Sequence, residues 1–344
     1  MNVPENSTQM YCEAEQASDV VRQQLAANSE RLERLGERLR QLSPRAVVTC
    51  ARGSSDHAAT FAKYLIETRL GVLTSSAAPS VTSVYDVTPD LAGTVFLAIS
   101  QSGASPDLLA TVRAAKNAGA MVIALVNAES SPLAQAADFT IPLCAGIERS
   151  VAATKSYIAS LSAIIQLVGS WGRDAELLRS LAGAPPLLER AWRQDWSAAV
   201  ARLRVAGDLY VIGRGLGLGI AQEAALKFKE TCGLHAEAVS SAEVRHGPMA
   251  LIRAGFPVLM FAQNDETLGG VESLATELAT RRADVMFAGA KVPRAITLPT
   301  EVADPALEPM LIVQSFYRMV NALALARGRN PDQPPYLHKV TETV

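Results

Sequence analysis

Three hydroxyls and a glycine follow directly on an apolar run in this sequence: Ser100-Gln101-Ser102-Gly103-Ala104-Ser105 comes after residues 94–99 and before a helix-forming stretch. A helix that starts there offers free N–H groups and the positive end of its dipole. Gly103 permits backbone angles closed to other residues. These are the parts needed to hold a phosphate without lysine or arginine. The plain alternative is a serine-rich N-cap and turn, common between any strand and helix. Gly53-Ser54-Ser55 ends another apolar run and can add hydroxyls to the same crevice. His57, just beyond, reads as a capping or surface histidine.

A second group could move protons. Glu223, Lys227 and Glu230 stand at i, i+4 and i+7, so they share one helix face. A solvated salt-bridge stripe is the bland explanation. Against it, Ala224, Ala225, Leu226 and Phe228 lie between them, and a charged stripe on a buried helix should point into a cavity. A carboxylate desolvated there can lift a proton from one carbon and return it to the next. His246 precedes Gly247-Pro248, which fixes it on a loop; as a lone histidine it would more often be structural. The four histidines, at 57, 235, 246 and 338, have no metal-ligand spacing. The chemistry is expected to need neither metal nor cofactor.

Strands and helices alternate around these residues. Strands are expected at 46–50, 70–74, 94–99, 121–126 and 139–143, with helices at 56–68 and 106–118. Such alternation predicts an α/β protein with a doubly wound parallel sheet and its ligand site at the carboxyl ends of the strands. Residues 181–195, with Gly183, Pro185 and Pro186, read as an inter-domain connection. The pattern then restarts with strands at 208–212 and 257–262 and a helix at 220–231. Arg52-Gly53 against Arg214-Gly215, and Ser100-Gln101 against Ala262-Gln263, are both shifted by 162 residues, which suggests a duplicated unit. The second copy reads Asn264-Asp265-Glu266-Thr267 where the first has its serines. Two acidic groups there would repel a phosphate. The expected division is an N-terminal helical segment (1–42), a phosphate-binding domain (43–180), a domain carrying the Glu230 helix (195–329) and a C-terminal tail (330–344). Val20, Val21, Leu25, Leu32, Leu35, Leu39 and Leu42 form an apolar stripe along the first segment that must pack on something.

The 344 residues carry 32 basic and 34 acidic side chains, a net charge of −2 with no long run of either sign. Nucleic acid and membrane surfaces are therefore poor partners. Cys12, Cys50, Cys144 and Cys232 are scattered and form no C-x-x-C pair. With no signal-like apolar segment near Met1, the chain reads as cytoplasmic.

The motifs resemble a known family. Arg-Gly-Ser-Ser (52–55), Ser-Gln-Ser-Gly-Ala-Ser (100–105) and Ala-Ala-Thr-Lys-Ser (152–156) resemble the first sugar isomerase (SIS) domain of glucosamine-6-phosphate synthases. Residues 223–248 resemble the second, and residues 330–339 resemble the tail. The wording of 52–57, 227–237 and 338–344 is closer still to stand-alone SIS-type glucosamine-6-phosphate deaminases. The resemblance implies two flavodoxin-like domains. It implies that Ser55, Ser100, Gln101, Ser102 and Ser105 hold the sugar phosphate, with Ser54 and Ala153 beside the sugar. It further implies that Glu230 carries the proton between C1 and C2, that His246 assists ring opening, and that Lys339, or else Lys227, forms a Schiff base with the ketose phosphate. Arg52 stands where the synthases carry cysteine and Ala153 where they carry serine; both bear on the sugar contacts.

Only about 45 residues precede the first expected strand, so a glutamine-hydrolysing domain is not expected within this chain. The expected activity is conversion of glucosamine 6-phosphate to fructose 6-phosphate and ammonia. The alternatives are a synthase-like isomerase that uses free ammonia or interconverts aldose and ketose, and a sugar-phosphate-sensing regulator. A homodimer with shared active sites is expected. The family arrangement implies it, and the leucine stripe would otherwise be left partly bare.

Overall fold

The computed structural model describes residues 4–337 and 339, and the chain divides into two compact units, neither continuous in sequence. Helix α1 (Gln9–Glu15) belongs to the unit built from residues 4–18, 149–155 and 183–337. Helix α2 (Ala17–Leu42) belongs mainly to the unit built from residues 19–148, 156–182 and 339.

The unit of α2 holds the first sheet. Its elements are β1 (Val47–Cys50), α3 (Ser54–Leu70), β2 (Thr74–Ser76), α4 (Pro79–Ser83), β3 (Val95–Ser100), α5 (Pro106–Asn117), β4 (Met121–Val126), α6 (Pro132–Ala136), β5 (Phe139–Pro142), α7 (Lys155–Gly172) and α8 (Ala175–Ala182). All pairings are parallel in the order β2-β1-β3-β4-β5. Every residue of β3 is buried, as a central strand covered on both faces requires. The second strand starts four residues later than expected. Helix α3 runs on to Leu70, and Gly71, left-handed at φ 66°, closes it by donating to the Glu67 carbonyl.

The stripe on α2 is covered within the chain. Val21, Leu32, Leu35 and Leu39 are fully buried. Gly36 lies so close to α7 that an added Cβ would come within 2.6 Å of the Ser170 carbonyl oxygen. The side-chain amides of Gln24 and Asn28 donate to the carbonyls of Leu143, Ala159 and Pro142. The expectation that this stripe awaits a two-fold partner is thus corrected; it gives no support to a dimer.

The other unit contains α9 (Ala184–Trp192), α10 (Ser197–Leu203), β6 (Asp208–Gly213), α11 (Gly217–Cys232), β7 (His235–Ser240), β8 (Pro257–Phe261), α12 (Leu268–Thr280), β9 (Asp284–Ala288), β10 (Ile296–Leu298) and α13 (Glu308–Ala326). Its sheet is also all parallel, in the order β10-β9-β8-β6-β7. Counted from its own first strand this is 2-1-3-4-5, the same winding as the first sheet. The segment expected to be a connection contains the boundary between the two units, at 182/183, and is itself helical. Pro185 and Pro186 sit in the first turn of α9, where no backbone N–H is needed by the helix. No helix among the described residues is long and apolar enough to cross a membrane.

Candidate active site

The loops after β1 and β3 lie side by side, because those strands pair with Cys50 opposite Ala98. Ser54 and Ser55 open α3 in one loop, and Ser100 to Ser105 lead into α5 in the other. In the second loop the chain turns back on itself. Ser100 Oγ accepts from Gly103 N at 2.9 Å, and Ser102 Oγ accepts from Ala104 N at 3.4 Å. Gly103 has φ 62°, and a Cβ there would lie 2.2 Å from Ser131 Oγ. Only glycine fits this turn. Ser105 occupies the N-cap position of α5 but accepts no capping hydrogen bond through its side chain. Leu108 N is instead satisfied by Asp107 Oδ1 at 2.7 Å. The reading of these serines as a mere helix cap therefore fails at Ser105.

An arginine stands on the rim of this cradle. Arg52 Nε and Nη2 both donate to Oδ2 of buried Asp107, at 2.9 and 2.7 Å. Beneath it, burial pushes the Cys50 thiol up to about 12 in spite of the nearby guanidinium, so this cysteine is no nucleophile.

The equivalent loop of the other unit is closed on itself. Gln263 Nε2 donates to the Arg214 carbonyl (3.0 Å), to Asp265 Oδ2 (2.7 Å) and to Thr267 Oγ1 (3.1 Å). Asp265 Oδ1 accepts from Thr267 N at 2.8 Å, and Asn264 N donates to Glu308 Oε2 at 2.6 Å. Carboxylates of the chain itself take the N–H groups that an anion would need.

The Glu230 helix is α11, and its charged face is buried. Lys227 is 0% exposed, with Nζ 2.6 Å from Glu230 Oε2 and 3.1 Å from Glu223 Oε1. Tyr317 of α13 donates its hydroxyl to Glu223 Oε1 at 3.0 Å. Burial alone would lower the Lys227 pKa, but Glu223 and Glu230 together outweigh it and raise it. Lys227 is thus a charged ammonium, unsuited to attack a carbonyl as a free amine. Glu230 keeps 18% of its side chain accessible while one oxygen is held by Lys227.

A model of the SIS domain matches residues 42–169 and 202–287. The chain belongs to the SIS domain family.

A glutamine–fructose-6-phosphate aminotransferase (isomerizing) from Aeropyrum pernix is 37% identical over 310 residues, covering 83% of this chain and 49% of the relative. The chain spans about half the length of the curated relatives it matches, 49% and 53% in two of them. A Silicibacter pomeroyi protein assigned provisionally to the phosphosugar isomerases superposes with a TM-score of 0.91 at 40% identity, covering 94% of this chain and 100% of that one. Glucosamine-6-phosphate deaminase from Thermotoga maritima shares the fold, with a TM-score of 0.77 at 20% identity over 98% of this chain and 100% of its own.

The remaining predicted residues are spread over both SIS units. Ser54, Ser55 and the residues from Ser100 to Ser105, with Gln101 half-buried, gather at the carboxyl ends of the neighbouring inner strands β1 and β3. His246 ends an exposed 3₁₀ turn (Glu243–His246) before Gly247, whose φ is 139°. Ala153 is half-buried in the loop 149–155. Glu13 of α1 holds that loop by accepting from the backbone N–H groups of Arg149 and Ser150 at 2.5 and 3.0 Å. In the first-sheet unit Lys339 Nζ lies 3.4 Å from Glu148 Oε2, an oxygen that also accepts from Ser156 Oγ at 2.6 Å. Tyr336 is 99% exposed. The segment is anchored by Asp332, whose carboxylate accepts from Gln9 N and Met10 N at 2.7 and 2.9 Å. His338 lies outside the described residues. Glu13, Asp107, Glu148 and Tyr317 escaped the sequence reading. Asp107 alone left a signal there, as an acidic residue in the first turn after Ser105-Pro106.

The asymmetry between the two loops has a direct test. Ser102→Ala with Ser105→Ala is expected to weaken binding of a phosphorylated sugar by about 1.5–3 kcal/mol per lost charged hydrogen bond. Asn264→Ala with Thr267→Ala should leave it unchanged. Equal weakening of phosphate binding by the two pairs would contradict the assignment of the cradle to the first loop.

Proposed function

We propose that this chain is a phosphosugar isomerase-type enzyme that acts at C1 and C2 of an amino-sugar 6-phosphate. The observation that carries the reading is Glu230, held by the buried Lys227 on a largely apolar helix in an SIS chain. The serine cradle of the first sheet takes the phosphate, and Glu230 carries the proton. With glucosamine 6-phosphate, His246 assists ring opening, and Glu230 removes the C2 proton to give an enolamine. Return of that proton to C1 gives the fructose 6-phosphate imine, and water releases ammonium from it. Run backwards, the same steps make glucosamine 6-phosphate from fructose 6-phosphate and ammonia.

The names of the relatives favour the isomerase half of an aminotransferase as the parent chemistry. The deaminating direction is a second reading, supported by the wording of residues 52–57 and 227–237. His246, exposed on its turn, is available to the site of a second copy, and a dimer with shared sites stays part of this proposal. Incubation of the purified protein with glucosamine 6-phosphate should yield ammonium and fructose 6-phosphate in equal amounts. Fructose 6-phosphate with excess ammonium should yield the amino sugar. Absence of both conversions, with any phosphosugar interconversion also lacking, would overturn the enzyme reading.

A further inference from the structure

Arg52 stands on the cradle's rim and pairs with an anion, Asp107. Asp107 is the second residue of α5, the helix whose N-terminus the cradle uses, and its side chain is fully buried. A carboxylate there competes with a bound phosphate for the same positive helix end and repels it across about one helix turn. The sequence alone offered a cradle free of basic residues. The structure adds the acidic group and its counter-charge together. Arg52 comes from the loop after β1 and uses two N–H groups on one Asp107 oxygen, while 51% of its side chain faces solvent. The pair ties the Ser54-Ser55 loop to the Ser100–Ser105 loop and cancels the buried charge between them.

We propose that Arg52 is a positioning residue that sets the charge of the phosphate cradle, neutralising Asp107 so that the first turn of α5 accepts a dianionic sugar phosphate. The inference rests on the assignment of the cradle to the sugar phosphate made above.

The test is calorimetric titration of inorganic phosphate into wild-type protein and into Arg52→Met, Asp107→Asn and the double variant, with thermal unfolding as a check on folding. Unscreened, Asp107 should weaken phosphate binding about tenfold or more in Arg52→Met. Asp107→Asn, which can still accept from Leu108 N, should bind phosphate at least as tightly as wild type. The double variant should return to within about threefold of wild type, because the repulsion and its remedy leave together. A double variant as weak as Arg52→Met would make Arg52 a direct phosphate ligand and overturn the proposal; so would an Arg52→Met variant that binds normally. If Arg52→Met does not fold, Arg52→Lys replaces it, and a charge role predicts a loss of no more than about fivefold. A larger loss in that variant would assign the effect to the guanidinium fork and equally overturn the proposal. Wild-type protein that binds no phosphate would sink the cradle itself, whereas normal wild-type binding with silent substitutions sinks only the role given to Arg52.

Discussion

Replacing Glu230 with glutamine should abolish turnover while leaving fold and substrate affinity nearly intact. The amide is the same size and can still accept through its oxygen from Lys227, which lies 2.6 Å from the carboxylate. It cannot take up a proton. Positioned general bases contribute about 10²–10⁴ in rate, so kcat should fall by about 3–5 kcal/mol in barrier terms. KM should move little, since the proposed phosphate contacts are the serines of the first sheet. Retention of about a tenth of the wild-type rate, a loss near 1.4 kcal/mol, would assign the proton to another group. Steady-state kinetics and exchange of the C2 hydrogen with solvent deuterium read the two possibilities separately.

The second large effect belongs to Lys227, and it is expected in stability as well as in rate. Lys227→Met leaves Glu223 fully buried with Tyr317 as its named remaining donor, and frees Glu230 from its anchor. Breaking a buried ion pair from one side costs about 3–5 kcal/mol. Chemical denaturation should show a loss of that size, with kcat falling alongside it. Adding Glu223→Gln to Lys227→Met removes the stranded charge. It should recover a large share of the stability but none of the rate, because Glu230 stays unanchored. Equal recovery of both would show that Lys227 serves only the fold.

The residues differ in how plainly the sequence announced them. β4 was legible to the residue, because six apolar residues between helix signals can hardly be anything but a buried parallel strand. β7 was not, since His235, Glu237 and Ser240 alternate with small residues and carry no apolar run. β10 is three residues long and exposes Thr297, too short for any periodicity. The Glu223-Lys227-Glu230 spacing was visible, and the apolar residues between them rightly argued for burial. What spacing could not supply was Tyr317, which reaches Glu223 from 94 residues away in the chain. Arg52 and Asp107 were each readable as single charges. Their pairing depends on β1 and β3 being neighbours, a fact of winding order and not of local pattern. In 181–195 the prolines marked the passage between the units but hid its helix, because the same residues that break a helix interior begin one well.

Asp332 bears on how the chain can be made. Its carboxylate accepts from Gln9 N and Met10 N, and Thr8 Oγ1 lies 2.7 Å from Asn321 Oδ1, so the start of α1 is held by partners 313 to 323 residues downstream. A ribosome adding about 5–20 residues per second exposes Gln9 roughly 15–65 s before Asp332 exists. During that interval Met10, fully buried in the finished protein, has no such partner. The first sheet, from β1 to α8, emerges early and can assemble while synthesis continues. The unit around the second sheet cannot be completed until Asp332 has left the exit tunnel. A nascent chain stalled short of residue 332 therefore carries an unanchored start of α1 that chaperones and proteases can reach, however well its first sheet has formed.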